Sequence, residues 1–546
     1  MSAETADAVF EDIVAAVTRG DGSQALRLAA AALDQGLDEP LVLLLTAEGL
    51  EEQGRAPEAF DLIRRAADIA PEEPDVWHRL GVALVRQGRL AGGLAAFKTA
   101  LKLHPDFLAA LIDAGIASFR VGGLTAAEGY FRRAAELAPG EAEPLAALAA
   151  IAARQQKPRE ARALAERALA LRPNIVAAEF AIGRAELVEG LAEDTSARTT
   201  RLLARVDLTD DDRIGALDLR AEALDALNRT EEAFADYVAR NAILRRTYAR
   251  RIEREIGERR LDQARRLVGY FSKAPAEPWR TGAGQDEIGA RTASGHAFLV
   301  GFPRSGTTLL EKVLAAHPGV VTLQEVDHLA QVGQHWLADR AALDDLANLT
   351  GPQADVARAA YWRGVSETIG RDLGGKTLLD KLPLHTLALP VIAKLFPRAK
   401  ILFALRDPRD VVLSCFRRRF QINSAMFEFL TLEDAARYYD QVMALAHIYR
   451  SALSLPLLDV RHETMVADFE ATVRSVLDFL GLAWNPAVSR FSENRGSDPR
   501  TPSDMQLARG LNADGVGQWR RYQMQIAPVL GILEPWVNQF GYPGQG

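Results

Sequence analysis

Apolar residues in the first half of the chain fall at helical spacing and repeat with a longer period of 34 residues. Pro71, Pro105, Pro139 and Pro173 keep this step, as do Ala66, Ala100, Ala134 and Ala168, and Ala59, Gly93, Ala127 and Ala161. A bulky position holds Ile63, Phe97 and Phe131 and lapses to Ala165, while a turn position holds Gly54, Gly88, Gly122 and then Gln156. Small residues let two helices approach closely, the bulky one fills the gap between units, and proline ends the second helix because it has no N–H to donate. The pattern predicts four helical hairpins between about 40 and 173 and two degraded ones over 176–246, the second keeping Ala221, Asn228, Ala233 and Tyr237. Residues 9–37 read as a partial cap. The Arg- and Glu-rich stretch from Arg245 to Arg266 reads as a solvated helix face.

Past the Pro-, Gly- and Ala-rich stretch 272–296, which breaks the helical period, the pattern changes. Short apolar runs at 297–302, 377–379, 400–405 and 455–460 alternate with helix-like stretches near 308–316, 386–396, 408–420 and 433–453. Such alternation predicts a mostly parallel sheet with helices on both faces and a ligand site beyond the C-terminal strand ends. The expected organisation is multidomain: an all-α repeat solenoid over 1–250, a helical connector and linker over 251–295, and an α/β domain over 296–546. The 34-residue period together with Trp77-x-x-Leu80-Gly81 resembles the tetratricopeptide repeat, whose stacked hairpins offer a concave face to a peptide or partner.

Composition narrows this picture. With 546 residues, 48% apolar and 25% charged, the chain is long enough for two or more cores. A net charge of −8 argues against a general nucleic-acid or membrane-surface binder, so any anion site must be local. The single cysteine, Cys415, rules out an intrachain disulfide and a Cys-rich metal site. No uninterrupted apolar stretch is long enough to cross a bilayer, and the acidic N-terminus lacks the marks of a signal peptide; the expectation is a cytoplasmic protein.

Gly301 to Thr308 reads G-x-x-x-x-G-T-T, a P-loop with Thr307 in place of its lysine. Arg304, Ser305, Gly306, Thr307 and Thr308 supply a guanidinium fork, hydroxyls and N–H groups at a helix start, all suited to an anion. An ordinary helix cap is the alternative. A second basic element, 404–420, puts Arg406 at a strand end, with Ser414 and Arg418 four apart on one helix face. Lys381 closes another strand run beside Asp380, where it serves either the same rim or a local ion pair. Glu325 reads alone as a helix-start carboxylate. Two separated anion sites suggest a nucleotide carrying phosphates at both ends of its ribose. His317, His328 and His335 form no coherent ligand set, and no metal is expected.

Taken together, 296–546 resembles the sulfotransferases that use 3′-phosphoadenosine 5′-phosphosulfate (PAPS), above all bacterial tetratricopeptide-repeat members and the tyrosylprotein sulfotransferase group. PRSGTT followed by LLEKVLAAHP is similar to the family's 5′-phosphosulfate loop. RDPRDVVLS is similar to its 3′-phosphate element, with Arg418 as an additional contact. The resemblance implies Glu325 as catalytic base and Lys381 as catalytic lysine. PAPS would be held by Arg304 to Thr308, Arg406, Ser414, Arg418, His462 and Ser503. His462 stands in place of the usual tyrosine, His385 where many relatives have asparagine, and Gln518 where they commonly have lysine or arginine. The implied reaction is sulfuryl transfer to a hydroxyl of a protein tyrosine, glycan or small alcohol, with the repeats recruiting acceptor or partner and a homodimer permitted by the fold. The competing readings are a repeat scaffold with an inactive domain of this kind and a nucleotide kinase or NTPase.

Overall fold

The computed structural model describes residues 3–256, 258–283, 293–370, 372–491 and 515–544. Contacts divide the chain into two compact units, Met1–Leu202 and Leu203–Gly546.

The first unit is a run of antiparallel helix pairs. The middle pairs, Pro74–Arg86 with Leu90–Leu103 and Leu108–Arg120 with Leu124–Leu137, show why the period holds. A side chain at Gly81 would meet the Phe97 ring at 2.4 Å, and one at Gly115 would meet Phe131 at 2.7 Å. The bulky residue thus packs onto a glycine of its own hairpin, as well as against the next unit through Ala114 and Ala117. The turn position must be left-handed: Gly54, Gly88 and Gly122 have φ of 75°, 78° and 83°, and Gln156 adopts 58° in their place. Gly20 and Gly190, one period outside the expected set, are left-handed too. The N-terminal segment is therefore a complete pair, Ala3–Thr18 and Gly22–Asp34, rather than a partial cap.

The second unit is built on five parallel strands in the order β2-β3-β1-β4-β5. They are β1 Ala293–Gly301, β2 Val320–Gln324, β3 Lys376–Lys381, β4 Lys400–Leu405 and β5 Leu457–Arg461. On β1, Phe298 and Val300 face one core while Ala297 and Leu299 face the other, which is why the strand reads as an unbroken apolar run. Each fully buried Leu, Val or Phe contributes roughly 1.5–3 kcal/mol. The edge strand β2 was not among the expected runs. Its five residues carry Thr322 and Gln324 within an otherwise apolar stretch.

Two segments expected outside this domain contribute to its core. Leu261, Leu267, Phe271 and Trp279 are buried with the sheet residues. The helices Asp210–Ala226 and Thr230–Ile256 pack Ile214, Leu217, Ile243 and Ile252 against Phe427 and Leu430. Arg250, Arg251 and Arg254 are exposed as a solvated face requires, but Arg259 reaches the fully buried Glu428 and lies 3.0 Å from Asp434.

Candidate active site

β1 and β4 are neighbours with Gly301 opposite Ala404, so the loops that follow them emerge side by side at the C-terminal edge. A Cβ at Gly301 would lie 2.6 Å from the Ala404 carbonyl, and the Thr386 hydroxyl clips the strand end by accepting from Gly301 N–H at 3.0 Å and donating to its C=O at 2.8 Å. The chain then turns through left-handed Arg304 (φ 71°) and Gly306 (φ 93°) into the helix Thr307–Ala315. Gly306 cannot be replaced without movement, because a Cβ there would approach His462 Nδ1 to 2.7 Å. Ser305 and Thr307 are buried, and Thr308 is partly so.

The two basic elements converge. Arg304 Nε donates to Ser414 Oγ at 3.0 Å, and Arg406 Nη1 donates to the Arg304 carbonyl at 2.9 Å. Burial, then repulsion from Arg418 and Arg406, pulls the Arg304 pKa down to about 9. His462 is pushed to about 3 by burial and by the same pair, Arg406 and Arg304. Arg406 Nε and His462 Nδ1 are buried without a hydrogen-bond partner among the described residues. Crowded cations with buried, unpartnered polar atoms suit the binding of an anion. Arg418 departs from its expected place: the helix Pro408–Arg417 ends one residue earlier, and Arg418 is its extended C-cap, tied back by N–H to Ser414 C=O at 3.2 Å. Ser503 lies outside the described residues.

Lys381 and Glu325 meet because β2 and β3 pair with Gln324 opposite Lys381, which puts Glu325 one residue beyond the strand end. It follows a strand, and the next helix begins only at His328, so it is not the helix-start carboxylate it resembled in isolation. Glu325 adopts φ 53° and is partly exposed; Lys381 is 2% exposed. Lys381 Nζ lies 2.5 Å from Glu325 Oε1 and 3.0 Å from Glu311 Oε2. Burial would lower the lysine's pKa, but Glu311 and then Glu325 hold it above the ordinary value. Glu311 was not singled out from sequence. Its signal was a carboxylate four residues into the loop helix, on the face of Thr307.

Behind Lys381 runs a buried polar chain. His385 Nε2 is 3.0 Å from Asp327, His385 Nδ1 is 3.7 Å from Asp380, and Tyr361 donates to Asp380 at 2.8 Å. Burial opposes protonation of His385, yet Asp327 and Asp380 raise its pKa. On the helix Pro408–Arg417, Asp410 accepts from Gly517 N–H at 2.6 Å and Trp519 N–H at 2.8 Å, and Arg409 lies 3.9 Å from the centre of a Trp519 ring. This pins the turn Gln518–Tyr522 against the Pro408–Arg417 helix.

The other flagged residues have local roles. His317 is 2.9 Å from the Ala483 carbonyl and His328 is 2.8 Å from the Thr368 hydroxyl. No group of metal-ligating side chains occurs among the described residues, and no described helix is long and apolar enough to cross a membrane.

Residues 297–486 match the model of the sulfotransferase family. That stretch of the second unit, about a third of the chain, is similar to the sulfotransferase family. Residues 43–171 match the middle TPR-like domain of cilia and flagella-associated protein 70, so a repeat array precedes it. The chain is 26% identical to protein-tyrosine sulfotransferase 1 of Danio rerio over 45% of its own length and 71% of the relative's. It is 28% identical to the Drosophila melanogaster protein-tyrosine sulfotransferase, again over 45% of this chain, but spans only about half (53%) of that protein. Among solved structures, a tetratricopeptide repeat protein from Parabacteroides merdae aligns over 44% of this chain and 93% of its own at 16% identity, with a TM-score of 0.36.

Proposed function

We propose that the protein transfers a sulfuryl group from PAPS to an acceptor hydroxyl. The observation that carries the reading is the convergence of Arg304, Arg406, Ser414 and Arg418, with the Lys381–Glu325 pair joined to the same loop helix through Glu311. On this reading a nucleotide with phosphates at both ends of its ribose is held at its 5′ end by the loop Arg304 to Thr308 and at its 3′ end by Arg406, Ser414 and Arg418. His462 and Ser503 complete the assignment, His462 through the Nδ1 that faces Gly306.

Sulfuryl transfer resembles phosphoryl transfer, with in-line attack and charge developing on the leaving phosphate. Glu325 takes the acceptor proton; a positioned base contributes typically ~10²–10⁴-fold. Lys381 and Arg304 oppose the charge that grows on the bridging oxygen, in a site where fixed cations need no reorganisation. The relatives' names make a protein tyrosine the first acceptor to test, ahead of a glycan or small alcohol, and the repeats offer a surface to recruit it.

The test is calorimetric titration with 3′-phosphoadenosine 5′-phosphate against ADP and ATP, followed by transfer of labelled sulfate from PAPS to tyrosine peptides and sugars. Binding of the bisphosphate, with little for ADP, and label transfer to one acceptor class are expected. A preference for ATP with Mg²⁺ would replace this reading by an NTPase, and binding without transfer to any acceptor by a scaffold.

A further inference from the structure

The helices Asp210–Ala226 and Thr230–Ile256 reach the wall of the proposed donor site through two groups of contacts. The first is at the end of the Pro408–Arg417 helix, whose last carbonyls have no partner within the helix itself. Arg240, fully buried, donates to the Arg417 carbonyl at 3.1 Å and to the Phe416 carbonyl at 3.2 Å, and Asn241 Nδ2 donates to Phe416 C=O at 3.1 Å. Arg418, the next residue, and Ser414, one turn back, are the proposed 3′-phosphate contacts.

The second group centres on Asp225. Its carboxylate pairs with Arg417, accepts from the Tyr522 hydroxyl at 2.7 Å and lies 3.1 Å from Arg521. Its carbonyl accepts from Arg521 at 2.6 Å, and Asn228 accepts from the same guanidinium at 3.1 Å. Arg417 is stacked 4.7 Å from the Tyr522 ring centre and 5.4 Å from that of Tyr237. One carboxylate therefore joins the C-terminal end of the Pro408–Arg417 helix to the turn Gln518–Tyr522, which Asp410 also links to the first turn of that helix.

We infer that Asp225 and Arg240 are positioning residues for the 3′-phosphate of a nucleoside 3′,5′-bisphosphate donor, fixing Arg418 and Ser414 from behind without touching the nucleotide. The inference rests on the donor reading above. Its specific consequence is that the helix pair acts on the preference for a 3′-phosphorylated nucleotide more than on the 5′ loop, whose strand end is held separately by Thr386 and which meets this wall at the Arg304–Ser414 hydrogen bond.

The experiment compares dissociation constants for 3′-phosphoadenosine 5′-phosphate and AMP in the full chain, for wild type, Asp225→Asn, Tyr522→Phe and a control, Asp210→Asn. Asp210 pairs with Arg246 on the exposed side of the same helices. In Asp225→Asn the bisphosphate is expected to weaken about tenfold with AMP within about twofold, so the ratio of the AMP constant to the bisphosphate constant falls. Tyr522→Phe is expected to lower the ratio less, and Asp210→Asn to leave it unchanged. An unchanged ratio in folded Asp225→Asn, or a loss shared equally by both nucleotides, overturns the positioning role. Should Asp225→Asn not fold, an unchanged ratio in Tyr522→Phe overturns it. A wild type that does not prefer the bisphosphate over AMP overturns the donor reading itself, a failure visible before any variant is made.

Discussion

Lys381 Nζ stands 2.5 Å from Glu325 Oε1 at the ends of adjacent strands, and the strained backbone at Glu325, φ 53°, is what aims its carboxylate there. Among the described residues only Gln156, Asn228, Arg304 and Glu325 adopt a left-handed φ without being glycine, and the latter two sit in the candidate site. Strain of this kind costs on the order of 1–3 kcal/mol and persists where the surroundings hold it.

Glu325→Gln keeps the side chain's shape and a hydrogen-bonding group toward Lys381 but removes the base. Turnover is expected to fall about 10²–10⁴-fold. The dissociation constant for the bisphosphate product is expected to stay within about threefold. Steady-state kinetics beside calorimetry checks both; a loss of nucleotide binding in the folded variant contradicts the base assignment.

Lys381 is also a structural cation, because Glu311 is buried on it at 3.0 Å. Lys381→Met takes a buried cation away from that carboxylate, and removing one partner of a buried pair costs about 3–5 kcal/mol. Lys381→Met combined with Glu311→Met is expected to recover much of this stability while remaining inactive. Denaturant unfolding of the single and double variants separates the two roles; equal instability in both would mean that Glu311 does not depend on the lysine.

Acid should weaken the fold through His462. Its folded pKa of about 3 lies below the ordinary 6.5, so between these values the unfolded chain binds a proton that the folded one refuses. Stability therefore rises with pH across that window and is lost on acidification, by at most about 1.4 kcal/mol per pH unit for one group. His296, similarly depressed by burial, adds the same sign. In His462→Asn the slope of unfolding free energy between pH 4 and 6 is expected to fall by up to one proton, measured against wild type so that shared carboxylates cancel. An identical slope would mean that His462 is not held neutral.

How much of this was legible depended on whether a feature is local in sequence. The strand Lys400–Leu405 and the loop Arg304 to Thr308 were readable because an apolar run and a Gly-Thr-Thr helix start are written in consecutive residues. The repeat phase was readable because every hairpin needs the same left-handed turn; Gly20 and Gly190 showed that it extends further than the proline marker alone suggested. Glu311 could be placed on the face of Thr307, but its role could not be read, since that depends on Lys381 arriving from another strand. Arg417 gave no sign of its place for the same reason: Asp225, Tyr237 and Tyr522 reach it from three distant segments, and it is nearly buried rather than solvated. β2 was hidden by its brevity and its two polar residues.

Gln518 stands where the resemblance implies lysine or arginine, and in the structure it faces Arg417. Its Oε1 accepts from Arg417 Nη1 at 3.2 Å, so the position faces a guanidinium already committed to Asp225. Introducing the basic residue that the resemblance implies, with Gln518→Lys, would set two cations together in a partly buried turn and remove an acceptor. Family likeness alone expects this change to tighten nucleotide binding. The local electrostatics expect the reverse: a stability loss of about 1–2 kcal/mol from the lost acceptor and like-charge contact, and a bisphosphate affinity no better than wild type. The effect should shrink in Arg417→Met, where the repelling partner is gone. Thermal unfolding and calorimetry on the three variants, Gln518→Lys, Arg417→Met and their combination, decide between the two; tighter binding in Gln518→Lys at undiminished stability would sink the electrostatic account.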